Sequence, residues 1–158
     1  MPIVLCRIDD RLIHGQVVIG WGRAMGIDLI VLVDDQVAAC DWEQELYRMA
    51  VTPEIEVKFV TMTEAARQMS EWQSNAKRGL VLTGDLETMA ALRASNPDVV
   101  QRVNLGGIHH RAGRRERLPF IYLTDQELRT LQSLETGGAV ITAQDLPTTV
   151  PVALKALG

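Results

Sequence analysis

A histidine followed by a glycine, His14 and Gly15, stands just behind the run Asp9, Asp10, Arg11. Neutral imidazole is a nucleophile near neutral pH and can form a covalent intermediate, and phosphate is an electrophile that suits it. If a helix opens at Gly15, its unpaired backbone N–H groups and positive dipole end lie where phosphoryl oxygens would sit, and glycine leaves room for their approach. Arg11 adds a fixed positive charge. Two unpaired carboxylates would repel phosphate, so Asp10 is assigned the task of orienting the imidazole or pinning Arg11. The plainer alternative is that Asp9 and Asp10 merely end a strand and that His14 hydrogen-bonds locally.

A second constellation is Asn104 Leu105 Gly106 Gly107 Ile108 His109. Its two glycines place backbone N–H groups where an anion-binding concavity could form, or else a tight turn. It is neither the dinucleotide fingerprint nor a phosphate-binding loop ending in Lys and Ser or Thr, so no nucleotide is indicated. Arg111, Arg114, Arg115 and Arg117 crowd the residues that follow. Such a cluster attracts a phosphorylated partner through charge-assisted hydrogen bonds, and Arg114 and Arg115 are the docking candidates; a solvated surface loop is the other reading. Trp21, Trp42 and Trp72 lie in helical stretches and read as packing residues.

These residues need a scaffold, and 158 residues with 47% apolar composition suffice for one core, read as a single domain over 1–158. A net charge of −4 lacks the basic footprint of a nucleic-acid binder. The start, Met1 to Arg7, has no signal-peptide pattern, and the apolar stretch from Ile27 to Val33 falls far short of the roughly 20 residues of a membrane span. A soluble cytoplasmic protein is expected, and Cys6 and Cys40 read as packing residues of a reducing compartment.

Apolar runs rich in Val, Ile and Leu alternate with amphipathic stretches, the pattern of an α/β fold whose mostly parallel central sheet carries helices on both faces. Strands are expected at Ile3 to Ile8, Leu29 to Val33, Val57 to Val60, Leu80 to Thr83, Val99 to Val103, Phe120 to Leu123 and Ala139 to Thr142. Helices are expected from Gly15 to Met25, from a cap at Asp41 to Ala50, from Thr63 to Ser74, from Leu86 to Ala94, and from a capping box at Thr124 and Glu127 to Glu135. Asn104 to Leu118 reads as a long loop, and a short tail follows Pro147. In such sheets ligands bind outside the carboxyl ends of the strands, which is where His14 and the Gly106–Gly107 turn fall.

Two other phosphate-handling designs fit poorly. A receiver domain needs an acceptor aspartate after its third strand and a third magnesium ligand, and Phe59 Val60 Thr61 Met62 offers neither. A histidine phosphatase places arginine directly before His-Gly, where this chain has Ile13.

The run from Arg7 to Val17, with Trp21 behind it, resembles the phosphorylation motif of the IIB subunits of the mannose, fructose and sorbose family of the phosphoenolpyruvate-dependent sugar phosphotransferase system. Val33 Asp34 Asp35, Met49 Ala50 before Pro53, Asn104 to His109, and Gln144 Asp145 Leu146 Pro147 also resemble it, in the same order. The resemblance implies that His14 accepts a phosphoryl group from a IIA protein or domain and passes it to a sugar presented by the membrane subunits IIC and IID. It further implies a protein-N(pi)-phosphohistidine–sugar phosphotransferase that associates peripherally with its transporter, with Arg11 and Asp10 in the active-site loop. His109 and His110 are not implied acceptors, and Arg114 and Arg115 stand where the family often has a lysine. No metal or other cofactor is expected, because arginine and backbone donors can stabilise the transfer. A regulatory protein of the same fold, whose partner binding changes when His14 is phosphorylated, would need the same site. The sugar and any homo-oligomer are left open.

Overall fold

A computed structural model of the chain describes residues 2–158. Strand β1 (Ile3–Ile8) lies inside a seven-stranded sheet with β2 (Leu29–Val33), β3 (Glu56–Val60), β4 (Gly79–Thr83), β5 (Arg102–Leu105), β8 (Val140–Ala143) and β9 (Val152–Ala153), in the order β3-β2-β4-β1-β5-β8-β9. Every pairing is parallel except that of β8 with β9. The chain runs from β4 to β5 across β1, so the carboxyl end of β1 opens at the place where connections diverge to either side. A separate antiparallel hairpin joins β6 (Arg115–Leu118) to β7 (Ile121–Leu123).

Apolar residues cover both faces of the sheet, as a parallel sheet requires. On one face Ile8, Val31, Val81, Val103 and Ile141 pack with Met69 and Trp72 of α4 (Met62–Ser74), Met89 and Leu92 of α5 (Leu86–Ser95), and Leu131 of α6 (Asp125–Thr136). On the other, Ile30, Leu32, Leu80 and Leu82 pack with Ile13, Val17, Val18 and Val37. The expected α/β architecture is the one observed. Trp21 and Trp72 are buried, whereas Trp42, on α3 (Asp41–Met49), is 66% exposed and is not a core residue.

Several boundaries move for identifiable reasons. The stretch after His14 is helical, but Gln16–Trp21 is a π-helix that passes into α1 (Gly22–Met25). Gly26, at φ +62°, ends it as a C-terminal glycine does. Asp34 caps an unforeseen short helix, α2 (Asp35–Ala38), and Asp41 is the first residue of α3 rather than its cap. The helix expected to open at Thr63 begins at Met62, capped by Thr61 in a box with Glu64, while the Thr124–Glu127 box is where the sequence put it.

Strand β5 starts later than the apolar run suggested, because the amides of Val99 and Val100 both bond the carbonyl of Asn96 at the end of α5. The expected loop from Asn104 to Leu118 therefore begins inside β5 and ends as β6. The expected tail holds β9 and a 3₁₀ turn, Leu154–Leu157, whose two leucines join the core.

Candidate functional site

After β1 the chain folds tightly over its own end. The Asp9 amide bonds the Thr83 carbonyl at 2.9 Å and the Leu12 amide bonds the Asp9 carbonyl at 3.0 Å. Leu12 has φ +62°, a left-handed conformation that costs a non-glycine residue roughly 1–2 kcal/mol. Packing offsets that strain: Ile13 is buried, and Leu12 lies so close over Gly84 that a Cβ there would come within 2.9 Å of its Cδ2. This loop delivers His14 to the helical segment, where the Val18 amide bonds the His14 carbonyl at 3.0 Å. A Cβ at Gly15 would meet nothing within 4 Å, so the space beside His14 is open.

An ionic hub underlies the loop. The buried Asp9 carboxylate accepts hydrogen bonds from Arg11 Nε (2.9 Å) and Nη2 (2.8 Å), from the Arg11 amide (3.2 Å) and from Arg7 Nη2 (3.2 Å), and His14 Nε2 stands 3.4 Å from it. Arg7 is wholly buried, a state a cation tolerates only when paired and hydrogen-bonded. Its guanidinium donates to Asn104 Oδ1 and to the carbonyls of Gln144 (2.8 Å) and Asp145 (3.1 Å). It also lies 4.8 Å from the ring centre of Trp21, whose indole N–H bonds the Asp145 carbonyl at 3.1 Å. Arg11 reaches onward to Gln16 Oε1 and, at 3.4 Å, to the Asp145 carboxylate.

These contacts set protonation. Burial pushes the Asp9 carboxyl up, but the hydrogen bonds of His14 and Arg11 and the charges of Arg7 and Arg11 outweigh it and hold the group well below the usual carboxylate range. Burial lowers Arg7 against the opposing pull of Asp9, and the Asp9 hydrogen bond raises Arg11. An ionised carboxylate only accepts, so a bond between His14 Nε2 and Asp9 requires the proton on Nε2 and leaves the neutral ring's lone pair on Nδ1.

The orienting contact expected of Asp10 is thus made by Asp9. Asp10 turns the other way: its carboxylate accepts from the His109 amide at 2.7 Å and meets His109 Nδ1. The Gly106 and Gly107 backbone is applied directly to the hub. A Cβ on Gly106 would collide with Arg7 Nη2 and lie 2.5 Å from Asp9 Oδ2, and one on Gly107 would lie 2.9 Å from Arg11 Nε. The Gly106 amide is spent on the Ile8 carbonyl at 2.7 Å, so these glycines serve close approach rather than an anion cradle that includes that amide. Asn104, on β5, is buried as a partner of Arg7.

The basic segment divides. Arg114, expected to dock a partner, clasps Glu127 through Nε (2.9 Å) and Nη2 (2.8 Å) and bonds the His109 carbonyl, with its side chain only 12% exposed. Arg115 remains outside, 68% exposed and paired with Asp125. His14, Arg11, Gly15, Asn104, Gly106 and Gly107 converge as expected, while Arg115 sits apart on the hairpin. Sequence reasoning placed Arg7, Asp9, Trp21 and Asp145 within the family-like stretches but assigned none of them a role in the site. A visible clue existed for one of them: an arginine inside the apolar strand Ile3–Ile8 has to be buried and paired. Among the described residues no group of three or more His, Cys, Asp or Glu side chains could hold a metal ion.

The family model described as the PTS system sorbose subfamily IIB component matches residues 3–157. The N-acetylgalactosamine-specific phosphotransferase enzyme IIB component 1 of Escherichia coli K12 is 32% identical over 148 residues, covering 92% of this chain and 91% of that protein. The mannose-specific EIIAB component of the same strain is 25% identical over 94% of this chain, which spans 46% of that longer protein. The crystal structure of the N-acetylgalactosamine-specific IIB component 1 from Escherichia coli matches with a TM-score of 0.87 at 28% identity, over 95% of this chain and 97% of that one.

Proposed function

This chain belongs to the sorbose subfamily of phosphotransferase-system IIB components, parts of sugar uptake systems, and from that premise we propose that it is a phosphohistidine carrier with His14 as its acceptor. The observation that carries the reading is the pairing of His14 Nε2 with the buried Asp9 carboxylate, which leaves Nδ1 as the nucleophile. The donor is a phosphohistidine of a IIA protein or domain, a partnership supported by the EIIAB designation of the mannose-specific relative. The acceptor is a sugar held by the membrane subunits IIC and IID, beside which the protein works peripherally from the cytoplasm.

Uptake is mainly positioning and charge stabilisation. The Nδ1 lone pair forms the new N–P bond, the donor's N–P bond breaks, and the electron pair returns to the donor ring. The His14 ring then carries positive charge, which the ionised Asp9 stabilises through Nε2–H without taking the proton. Arg11, part exposed and braced by Asp9, Gln16 and Asp145, is the cation available to the phosphoryl oxygens, and Gly15 leaves their space empty. Arg7 supports the arrangement from below by fixing Asp9. Exposed Arg115 is retained as a docking residue for IIA, and Arg114 is not.

Incubation with phosphoenolpyruvate, the two general phosphotransferase proteins and a matching IIA should add one acid-labile phosphate by intact mass. Uptake of label by a His14→Ala variant would refute the assignment.

A further inference from the structure

Phosphoryl uptake and phosphoryl delivery make different demands on protons. When one imidazole attacks a phosphohistidine, a lone pair forms the new bond and the departing ring keeps an electron pair, so no proton changes hands. When a sugar hydroxyl attacks phosphorylated His14, an O–P bond forms, the N–P bond breaks with its electron pair returning to Nδ1, and the hydroxyl proton must go to a base. The groups bonded around His14 are poor candidates. Asp9 is committed to Arg7, Arg11 and His14 and held far below the usual carboxylate range, and an arginine has no acceptor atom.

We infer that His109, oriented by Asp10, is the general base of the delivery step. Asp10 grips this residue twice, through its backbone N–H and through ring Nδ1. Arg114, itself clasped by Glu127, holds its carbonyl at 2.9 Å. The Asp10 amide in turn bonds the Gly107 carbonyl at 2.9 Å, which ties the His109 segment to the loop that carries His14. Since a carboxylate only accepts, Nδ1 carries the proton and Nε2 presents its lone pair, on a side chain 67% exposed. A carboxylate that orients an imidazole and stabilises the cation formed on it is the arrangement of a general base, and imidazole trades protons readily at neutral pH.

Two imidazoles are therefore held on consecutive carboxylates by opposite nitrogens: His14 by Nε2 on Asp9, His109 by Nδ1 on Asp10. The first arrangement frees a nucleophile and the second frees a base. The hydroxyl proton ends on His109 Nε2, where the resulting cation faces Asp10, and His14 returns neutral with Nε2–H still on Asp9.

The inference rests on His14 being the phosphoryl carrier, and timing the two half-reactions separately tests it. Wild type is first phosphorylated through IIA and mixed with vesicles bearing its IIC and IID subunits and, in turn, mannose, fructose, sorbose or N-acetylgalactosamine; the fastest acceptor is used thereafter. In His109→Asn the amide can still donate to Asp10 but offers no basic nitrogen. It should accept phosphate from IIA within about twofold of wild type and deliver it roughly 10²–10⁴-fold more slowly, the usual range for general-base catalysis. His110→Ala is the control, because that neighbouring ring is engaged edge-on by Tyr122. Unchanged delivery by His109→Asn overturns the inference, and so does equal slowing of both half-reactions, which would make His109 a loop clamp. Failure of wild type to take phosphate on His14, or to pass it to any of the four sugars, overturns instead the reading on which the inference rests.

Discussion

Two aspartates in this chain each hold two arginines. Asp9 binds Arg7 and Arg11 at 3.2 and 2.8 Å, and Asp125 binds Arg117 and Arg115 at 3.0 and 2.8 Å. The distances nearly coincide, but the Asp9 side chain is wholly buried and that of Asp125 is 65% exposed. Around Asp125, water and salt screen the attraction, and loss of the carboxylate leaves Arg115 solvated and the nearly buried Arg117 still bonded to the carbonyls of Leu123 and Leu157. For Asp9 and Arg7 there is no such refuge, so geometry is enforced: the two buried charges must find each other, and the imidazole beside them inherits a fixed orientation. The same triad of side chains is a tolerant surface feature in one place and a positioning device in the other.

The sharpest way to break this comparison is to remove each aspartate in turn. Asp9→Ala leaves Arg7 buried and facing Arg11, which should destabilise the fold by about 3–5 kcal/mol, read as a lowered urea midpoint, and abolish phosphoryl uptake at His14. Gly106→Ala should come next, at about 1–3 kcal/mol, because its Cβ drives into the hub; the companion measurement is a slower uptake rate.

Acid separates the two aspartates differently. The folded pKa of Asp9 lies below its unfolded value, so the unfolded chain binds the proton first and stability rises with pH. Its contribution is complete above the ordinary carboxylate pKa, near ~3.9, and fades as the pH falls below it. Urea titrations from pH 7 to 2.5 should show a steep acid limb in wild type and a shallower one in Asp9→Asn. Asp125 is also lowered, by its hydrogen bonds to Arg117 and Arg115, but it is open to solvent, and Asp125→Asn should leave the limb unchanged.

Smaller still, Arg115→Ala should slow phosphate acceptance from IIA a few-fold at low ionic strength and flatten the salt dependence, with no change in urea midpoint. The smallest effect belongs to Asp125→Ala, for which both uptake rate and midpoint should match wild type within error. A large loss there would show that exposure does not govern the difference.

The layered α/β architecture was legible because parallel strands buried on both faces leave apolar runs that stand out from amphipathic helices. His14, Arg11, Gly15 and the Gly106–Gly107 turn were legible from their places after strands. The exchange of roles between Asp9 and Asp10 was not: adjacent residues of one type differ only in where a turn points them, and this turn depends on Leu12 adopting a left-handed conformation over Gly84. The difference between Arg114 and Arg115 was hidden in the same way, since only the packing of α6 shows that Arg114 is the one that meets Glu127. The π-helical stretch was hidden because its apolar residues also fit an ordinary helix.

Arg7 has a consequence for how the molecule assembles. Besides Asp9, its partners lie 97, 137 and 138 positions further along the chain, so the cation is complete only after β8 has docked beside β5 and brought Gln144 and Asp145 with it. Contacts so distant in sequence close late and slowly in folding. A chain caught before that step would hold β1 with a guanidinium bonded to Asp9 but lacking its distant acceptors, and the hub beneath His14 would be incomplete. On the proposed reading, the His14 imidazole therefore gains its full support only when the sheet is complete.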